Sequence, residues 1–136
     1  MKRKIFIVLG IVVFCFAAAT SFYFTQKQTN HVEVQVPVVP SVSVTLDTGE
    51  KISTVSGIRA DNAFTALESA SKQQHLELKT KQYDFGVFVE QIGTLANTKE
   101  KSWIYAVNGK SGEVASDKYQ LKQSDSVEWK YTTPLY

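Results

Sequence analysis

Residues 103–109 have the sequence Trp-Ile-Tyr-Ala-Val-Asn-Gly, and this stretch decides the predicted fold. Trp103, Tyr105 and Val107 occupy every second position, which is the period of a strand with one apolar face. The pair that follows, Asn108-Gly109, is a strong signal for a type I′ turn, because both central residues of that turn have positive φ. The stretch therefore predicts a strand that turns back on itself in a tight hairpin.

Short alternating segments flank this hairpin on both sides. The further strand candidates are residues 42–46, 52–58, 76–78, 85–89, 119–121 and 127–131. Between the second and third candidates the period changes, and Ala63, Leu67 and Ala70 fall on one face of a helix. Asp61 or Asn62 can cap the start of this helix. We therefore predict an α+β domain in which one helix packs on a mixed or antiparallel sheet, as a β-grasp-like roll.

The amino-terminal segment has the features of a membrane signal. Residues 5–24 are twenty residues without a charge, and as a helix they would span about 30 Å, the thickness of a bilayer core. The basic residues 2–4 favour the cytoplasmic side for that end. We predict that residues 1–24 are a signal-anchor helix that crosses the cell membrane once, with the rest of the chain extracytoplasmic. The alternative is cleavage by a signal peptidase after Ala19, which would give a secreted protein.

Residues 25–40 are predicted to be an extracytoplasmic linker. Pro37 and Pro40 remove ladder donors and favour extended backbone. The alternating valines at positions 32, 34 and 36 leave an edge strand open as an alternative. The folded domain is then expected over residues 41–136.

The charge distribution argues against a nucleic-acid partner. The chain has 15 basic and 13 acidic residues, and three of the basic ones are at positions 2–4. The remaining cations are interspersed with acidic residues, whereas a phosphate-binding surface needs clustered cations. No nucleic acid is therefore expected among the partners.

Residues suited to catalysis or metal binding are scarce. The single cysteine, Cys15, lies within the apolar segment, so the outer domain has neither a disulfide framework nor a thiol nucleophile. His75 is the only histidine of the domain, and it falls at the end of the predicted helix. The carboxylate pairs lack the dense spacing of a calcium loop. We predict no enzymatic activity, no metal site and no cofactor.

Aromatic residues are more numerous than one core face requires. They make up 12% of the chain, and the 103–107 strand has Trp103 and Tyr105 on one face and Ile104 on the other. One helix can cover only one face of a sheet. The other face is predicted to meet a flat ligand, a partner protein or the valine-rich linker. The alternative for Trp103 and Tyr105 is that they close the core.

Five motifs follow one another along the domain. They are AFTAL at 63–67, FGVFVEQIG at 85–93, WIYAVNGK at 103–110, DKYQL at 117–121 and DSVEWKY at 125–131. In this order they resemble the transcobalamin-like C-terminal domain, a small β-rich extracytoplasmic module that is often of unknown function in bacteria. The resemblance covers about half of the chain.

The resemblance implies a module that assists the capture or uptake of cobalamin or a related corrinoid. In that role the domain would act as a lid on one side of the corrinoid, and a membrane transporter component would supply the other side. The residues implied in ligand contact are Trp103, Tyr105, Asn108, Lys110, Tyr83 and Phe85. Cobalamin would be a ligand here and not a catalytic cofactor.

The alternative function is a cell-surface protein-interaction module without a small-molecule ligand. Apolar patches on small sheet domains serve protein partners equally well. Burial of Trp103 and Tyr105 beneath the helix would remove the surface that the lid hypothesis needs.

Overall fold

The computed structural model describes residues 38–134. The predicted membrane helix, the alternative cleavage site after Ala19 and residues 25–37 of the predicted linker lie outside the described residues. Within residues 38–134, no helix has the length and apolar character needed to cross a membrane.

Eight strands and one helix make up the described part of the chain. In chain order they are β1 (Ser41–Asp47), β2 (Ile52–Arg59), α1 (Ala63–Gln73), β3 (Leu78–Tyr83), β4 (Gly86–Ile92), β5 (Leu95–Ala96), β6 (Ser102–Val107), β7 (Lys110–Ser111) and β8 (Ser126–Thr132).

Five of the strands form a mixed sheet in the order β2-β1-β8-β6-β7. The central strands β1 and β8 are parallel, and the other neighbours are antiparallel. Rows of apolar side chains cross one face of this sheet, because Val44 is paired with Val127 and Leu46 with Trp129. These four residues are buried, so this face forms the floor of the core.

The other three strands form a separate antiparallel sheet in the order β3-β4-β5. Val89 and Ile92 of β4 belong to the same buried cluster as Leu67 of α1 and the floor residues. The helix contacts β1, β2 and β8, whereas β4 contacts β6. The helix and the small sheet thus cover two parts of one face of the large sheet.

The predicted turn and helix start are confirmed in detail. Asn108 has φ 52° and Gly109 has φ 77°, as the type I′ turn requires. Asn62 is the residue that caps α1, since its side-chain oxygen accepts from the Thr65 backbone N–H at 2.8 Å. The Thr65 hydroxyl in turn accepts from the Asn62 N–H at 3.3 Å, which completes a capping box.

The other end of α1 explains the position of His75. This residue has φ 55°, and its N–H donates to the Lys72 carbonyl at 3.2 Å. The Leu76 N–H donates to the Ser71 carbonyl at 2.9 Å, so the two bonds form a Schellman motif with His75 in the left-handed position. The interpretation of His75 as a helix-end residue is confirmed.

The predicted fold class, an α+β domain with one helix on a single sheet, is wrong. Strands hold 48% and helix 11% of the described residues, and the strands form two sheets. The domain is therefore mostly β. The candidate over residues 85–89 coincides largely with the first half of β4, whereas the candidate over residues 76–78 overlaps β3 only at Leu78. Alternation does not say with which strands a segment pairs, and β3, β4 and β5 pair only with one another.

The strand predicted over residues 119–121 is also wrong. Only a single bridge, between Gln120 and Asn62, forms there. The Tyr119 carbonyl instead accepts from the Ala63 N–H at 3.2 Å. The segment therefore accepts a hydrogen bond from one of the first N–H groups of α1, which have no partner within the helix. A carbonyl used in this way is not available to a neighbouring strand.

Candidate functional site

The two aromatic residues of β6 that the sequence favours as ligand contacts lie in the core. Trp103 is 5% exposed and Tyr105 is 8% exposed. The Trp103 indole N–H donates to the Leu95 carbonyl of β5 at 2.9 Å, so the small sheet and not the helix covers it. The Tyr105 hydroxyl donates to the Val114 carbonyl at 2.6 Å. Neither residue is available as the open face of a lid.

Burial also raises the pKa of Tyr105. Removal from water raises the pKa of its hydroxyl, and the neighbouring Tyr119 and Asp117 raise it further. The hydroxyl therefore remains a hydrogen-bond donor and holds the loop over residues 112–116 against β6.

Asn108, at the tip of the β6–β7 hairpin, makes hydrogen bonds to the residues that precede and begin β8. The Asn108 side-chain amide donates to the Asp125 carboxylate at 2.8 Å, and its oxygen accepts from the Ser126 N–H at 3.0 Å. Both polar ends of this amide are therefore occupied in fixing the hairpin to the start of β8. Lys110 is exposed beside it.

Three partly exposed aromatic side chains gather at the β3–β4 turn, and we call them the aromatic cluster: Tyr83, Phe85 and Phe88. The Tyr83 and Phe85 rings are stacked with centroids 5.1 Å apart, and Phe88 meets Tyr83 edge-on at 6.2 Å. The Lys81 ammonium lies 5.1 Å from the Tyr83 ring centre. Phe85 is 64% exposed, so the cluster offers a flat apolar surface to solvent.

A groove of about 260 Å³ lies beside the aromatic cluster, between β4 and β6, and we call it the inter-sheet groove. Its lining is mostly apolar and consists of Phe85, Val87, Phe88, Val89, Ser102, Trp103, Ile104, Tyr105, Gly112, Ala115, Ser116, Trp129 and Pro134. It lies between β4 of the small sheet and β6 of the large one, so it exists only because the two sheets are separate.

Two residues in the walls of the inter-sheet groove contain polar atoms without partners. The Ser116 hydroxyl and the Trp129 indole nitrogen are buried, and neither makes a hydrogen bond to any residue among 38–134. An unpaired buried polar group costs about 1–3 kcal/mol. Both residues line the inter-sheet groove.

The β3–β4 turn is held at the edge of the groove by Asp117. One oxygen of its carboxylate accepts from the Val87 N–H at 2.9 Å, and the other pairs with the Lys118 ammonium at 3.1 Å. The bond from Val87 chiefly lowers the pKa of Asp117, and the bond from Lys118 adds to this effect. Gly86, with φ 137°, packs directly against Asp117 and Ala115, where a side chain would overlap both.

The structure brings together part of the predicted contact set. Phe85, Trp103 and Tyr105 line one groove, and Tyr83 stacks on Phe85 at its rim, whereas Asn108 and Lys110 do not line it. The sequence reasoning did not assign Phe88, Ser116 or Trp129 to the site. Phe88 could have been found as a large apolar residue out of phase with Val87 and Val89. For Ser116 the sequence has no signal.

Among residues 38–134, no group of three or more histidine, cysteine, aspartate or glutamate side chains lies close enough together to hold a metal ion.

Comparison with known families identifies the domain that contains this groove. A family model described as "Domain of unknown function (DUF4430)" matches residues 60–133, which is more than half of the chain. The chain belongs to the DUF4430 family. The matched part of the DUF4430 domain includes α1, the small sheet and the groove walls, whereas β1 and β2 precede it. No curated protein matches the chain.

Two solved structures share the fold of this DUF4430 domain. One is a candidate metal-binding protein from Ruminococcus gnavus ATCC 29149, with 16% identity and a TM-score of 0.56 over 71% of this chain and 99% of that chain. The other is haptocorrin in complex with Cbi, with 15% identity and a TM-score of 0.61 over 71% of this chain and 25% of that chain. The resemblance to transcobalamin-like domains is thus confirmed at the level of the fold.

The folded part of the chain is one compact unit. Residues 38–134 lie within this unit and have their own hydrophobic core. We therefore use residues 37–136 as the unit in the experiments below.

Proposed function

We propose that this protein is a membrane-anchored extracytoplasmic ligand-binding module that assists the capture or uptake of cobalamin or a related corrinoid. The observation that supports the proposal most directly is the mostly apolar inter-sheet groove with the exposed aromatic cluster at its rim. A flat, partly apolar ligand can pack on stacked aromatic rings. The shared fold with haptocorrin in complex with Cbi supports the same ligand class.

The ligand contacts we propose differ from those implied by the sequence. Phe85, Phe88 and Tyr83 would pack on the corrin ring, because they are exposed, whereas Trp103 and Tyr105 would support the groove from beneath. An amide carbonyl on the corrin edge would accept from Ser116 or Trp129, whose donors have no partner among residues 38–134. Lys110 and Asn108 lie outside the groove lining and would not be needed.

The size of the groove supports a site completed by a partner. Pockets that enclose a drug-sized ligand measure about 300–1,000 Å³, and a corrinoid is larger than most such ligands. A groove of about 260 Å³ would hold only one part of it. We propose that a membrane transporter component supplies the second side, and that residues 1–24 keep the module at the membrane. We propose no catalytic activity for it.

The test is a calorimetric titration of residues 37–136 with cobalamin and cobinamide. We expect saturable binding that weakens at least tenfold in Phe85→Ala and Phe88→Ala. The matched control is Ile52→Ala, because Ile52 is equally apolar and 69% exposed but lies on β2. All three positions are on the surface, so the variants should fold. Absence of binding to both corrinoids would contradict corrinoid binding by the domain alone, and would leave a site that needs the partner or the protein-interaction alternative.

The protein-interaction alternative rests on the same exposed aromatic cluster. If a protein is the ligand, cross-linking in membranes should join the unaltered full chain to a partner protein, and the Phe85→Ala variant should lose this cross-link. Neither the unaltered chain nor the variant should then bind a corrinoid.

A further inference from the structure

A second cleft lies on the other side of Trp103, next to the β1–β2 hairpin, and we call it the hairpin cleft. It has a volume of about 140 Å³ and lies where the turn after β4 approaches the end of α1. Its apolar wall includes Leu46, Leu76, Ile92 and the indole of Trp103. The inter-sheet groove and this cleft share only Trp103, so they are separate sites.

The polar side of the hairpin cleft contains a donor without a partner. The Ser53 hydroxyl donates to the side-chain oxygen of Gln74 at 2.6 Å, which fixes the orientation of that amide. The amide nitrogen of Gln74 is buried and makes no hydrogen bond within residues 38–134. Gln74 is among the residues that line the cleft.

The cleft also has a positive charge and no competing negative one. Among the described residues that line it, Lys51 alone is charged. No ion pair to Lys51 forms within the described chain. The nearby carboxylate of Asp47 is already engaged, since it pairs with Lys130 at 3.0 Å and accepts from the Gly49 N–H at 2.8 Å.

The position of Lys51 is fixed by its hairpin. The Thr48 N–H donates to the Lys51 carbonyl at 3.0 Å, and the Lys51 N–H donates to the Thr48 hydroxyl at 2.9 Å. The backbone of Lys51, a residue that lines the cleft, is thus fixed, and only its flexible side chain needs to be ordered by a ligand. This lowers the entropic cost of binding an anion there.

The size of the cleft limits the ligand. An apolar protein cavity of about 150 Å³ accommodates benzene. The hairpin cleft, at about 140 Å³, therefore suits an apolar group no larger than a phenyl or isobutyl group. The Trp103 N–H is already bonded to Leu95, so its ring contributes apolar contact and no further donor.

We propose that the hairpin cleft binds a small apolar carboxylate, independently of the corrinoid site. The apolar group lies against Trp103 and Leu46, and the carboxylate accepts from the Lys51 ammonium and the Gln74 amide. A charge-assisted pair at the mouth and an apolar wall behind it select an acid over its neutral analogue.

The test is a nuclear magnetic resonance titration of isotope-labelled residues 37–136 with 3-methylbutanoate, and with 3-methylbutanamide as the matched neutral compound. We expect saturable shifts of the Trp103 indole N–H and the Gln74 side-chain amide with the acid. The Trp129 indole N–H should not move, because Trp129 lines only the inter-sheet groove. Binding of the amide should be at least tenfold weaker.

Two variants test the assigned roles. Lys51→Met removes the charge from a surface side chain and should weaken binding of the acid at least tenfold, whereas Lys99→Met, also on the surface, should not change it. Gln74→Glu should abolish binding by placing a carboxylate in the cleft. The proposal is overturned if the acid produces no saturable shift, if the amide binds as tightly, or if Lys51→Met leaves the affinity unchanged. Failure of either corrinoid to bind would not affect these outcomes.

Discussion

The side-chain amide of Asn97 joins the two sheets through the backbone of Trp103. Its oxygen accepts from the Trp103 N–H of β6 at 3.0 Å, and its nitrogen donates to the Val89 carbonyl of β4 at 2.8 Å. The Tyr131 hydroxyl of β8 donates to the Ala96 carbonyl at 2.7 Å nearby. The small sheet is thus attached to the large one by side-chain hydrogen bonds, and both clefts lie next to this attachment.

Asn97→Ala should destabilise the domain by about 1–3 kcal/mol, because it leaves a backbone donor on one sheet and an acceptor on the other without partners. Asn97→Asp should cost less, since the carboxylate can still accept from Trp103. The measurement is the free energy of unfolding in urea. Lys99→Ala, an exposed residue two positions further on, is the control and should change it by less than about 0.5 kcal/mol. If Asn97→Ala and Lys99→Ala have the same free energy of unfolding, the Asn97 side chain does not contribute to holding the two sheets together.

Gly112→Ala should destabilise the domain by about 1–3 kcal/mol through overpacking. A Cβ atom at this position would overlap the Tyr105 ring, which the Gly112 backbone covers directly. The Gly112 N–H also donates to the Tyr105 carbonyl at 3.1 Å. The same substitution in a Tyr105→Leu background should cost clearly less, because the ring it meets is gone. Additive effects in a double-mutant cycle would rule out this contact as the cause.

Stability should fall when the pH drops below about 4, the ordinary pKa range of aspartate. The pKa of Asp47 is lowered by the hydrogen bond from the Gly49 N–H and by Lys130, and that of Asp117 chiefly by the bond from Val87. The folded state therefore binds protons less readily than the unfolded state. The stabilisation is complete above the unfolded pKa and is lost as the pH falls through the lower folded pKa values.

The two aspartates can be separated by substitution. Asp47→Asn and Asp117→Asn should each reduce stability at pH 7 and flatten its acid dependence, and the double variant should be the flattest. Urea unfolding between pH 2.5 and 7 measures this. If the free energy of unfolding of the double variant falls with acid as steeply as that of the parent, groups other than Asp47 and Asp117 cause the acid dependence.

His75→Gly should stabilise the domain by up to about 1 kcal/mol. The left-handed backbone conformation at φ 55° costs a residue with a side chain about 1–2 kcal/mol, and glycine avoids this cost. Part of the gain is lost because glycine has more conformational entropy in the unfolded chain. His75→Val should lower stability, because a branched Cβ tolerates this conformation least. Thermal unfolding of the three proteins gives the order. If the His75→Gly variant melts at a lower temperature than the parent, the imidazole makes a contact that stabilises the fold by more than the cost of the left-handed conformation.

Several elements were predictable because their causes are local. The capping box of Asn62 and Thr65 and the turn at Asn108-Gly109 depend on residues within four positions of one another. The family motifs extended this to the resemblance with transcobalamin-like domains, which the fold shared with haptocorrin supports, although the predicted single sheet is wrong. Alternation in β4 likewise predicted a strand, but the partner of a strand is set by contacts that are distant along the chain.

The candidate site was predicted less completely. The family resemblance implied Phe85, Trp103 and Tyr105 as ligand contacts, and these three residues line one groove. Their exposure could not be read from the sequence, because Trp103 and Phe85 are equally apolar and only the position of the small sheet buries one and leaves the other in solvent. Ser116 reaches the groove through a loop with no regular pattern.

The sequence by itself determined the helix, its cap, the Asn108-Gly109 turn and the strands β1, β2, β4, β6 and β8, since periodicity, capping and positive φ are properties of neighbouring residues. Only the tertiary structure decided that β3, β4 and β5 form their own sheet and that Asn97 attaches it beside Trp103. That choice depends on hydrogen bonds and apolar contacts between segments far apart in the chain, and the inter-sheet groove and the hairpin cleft both follow from it.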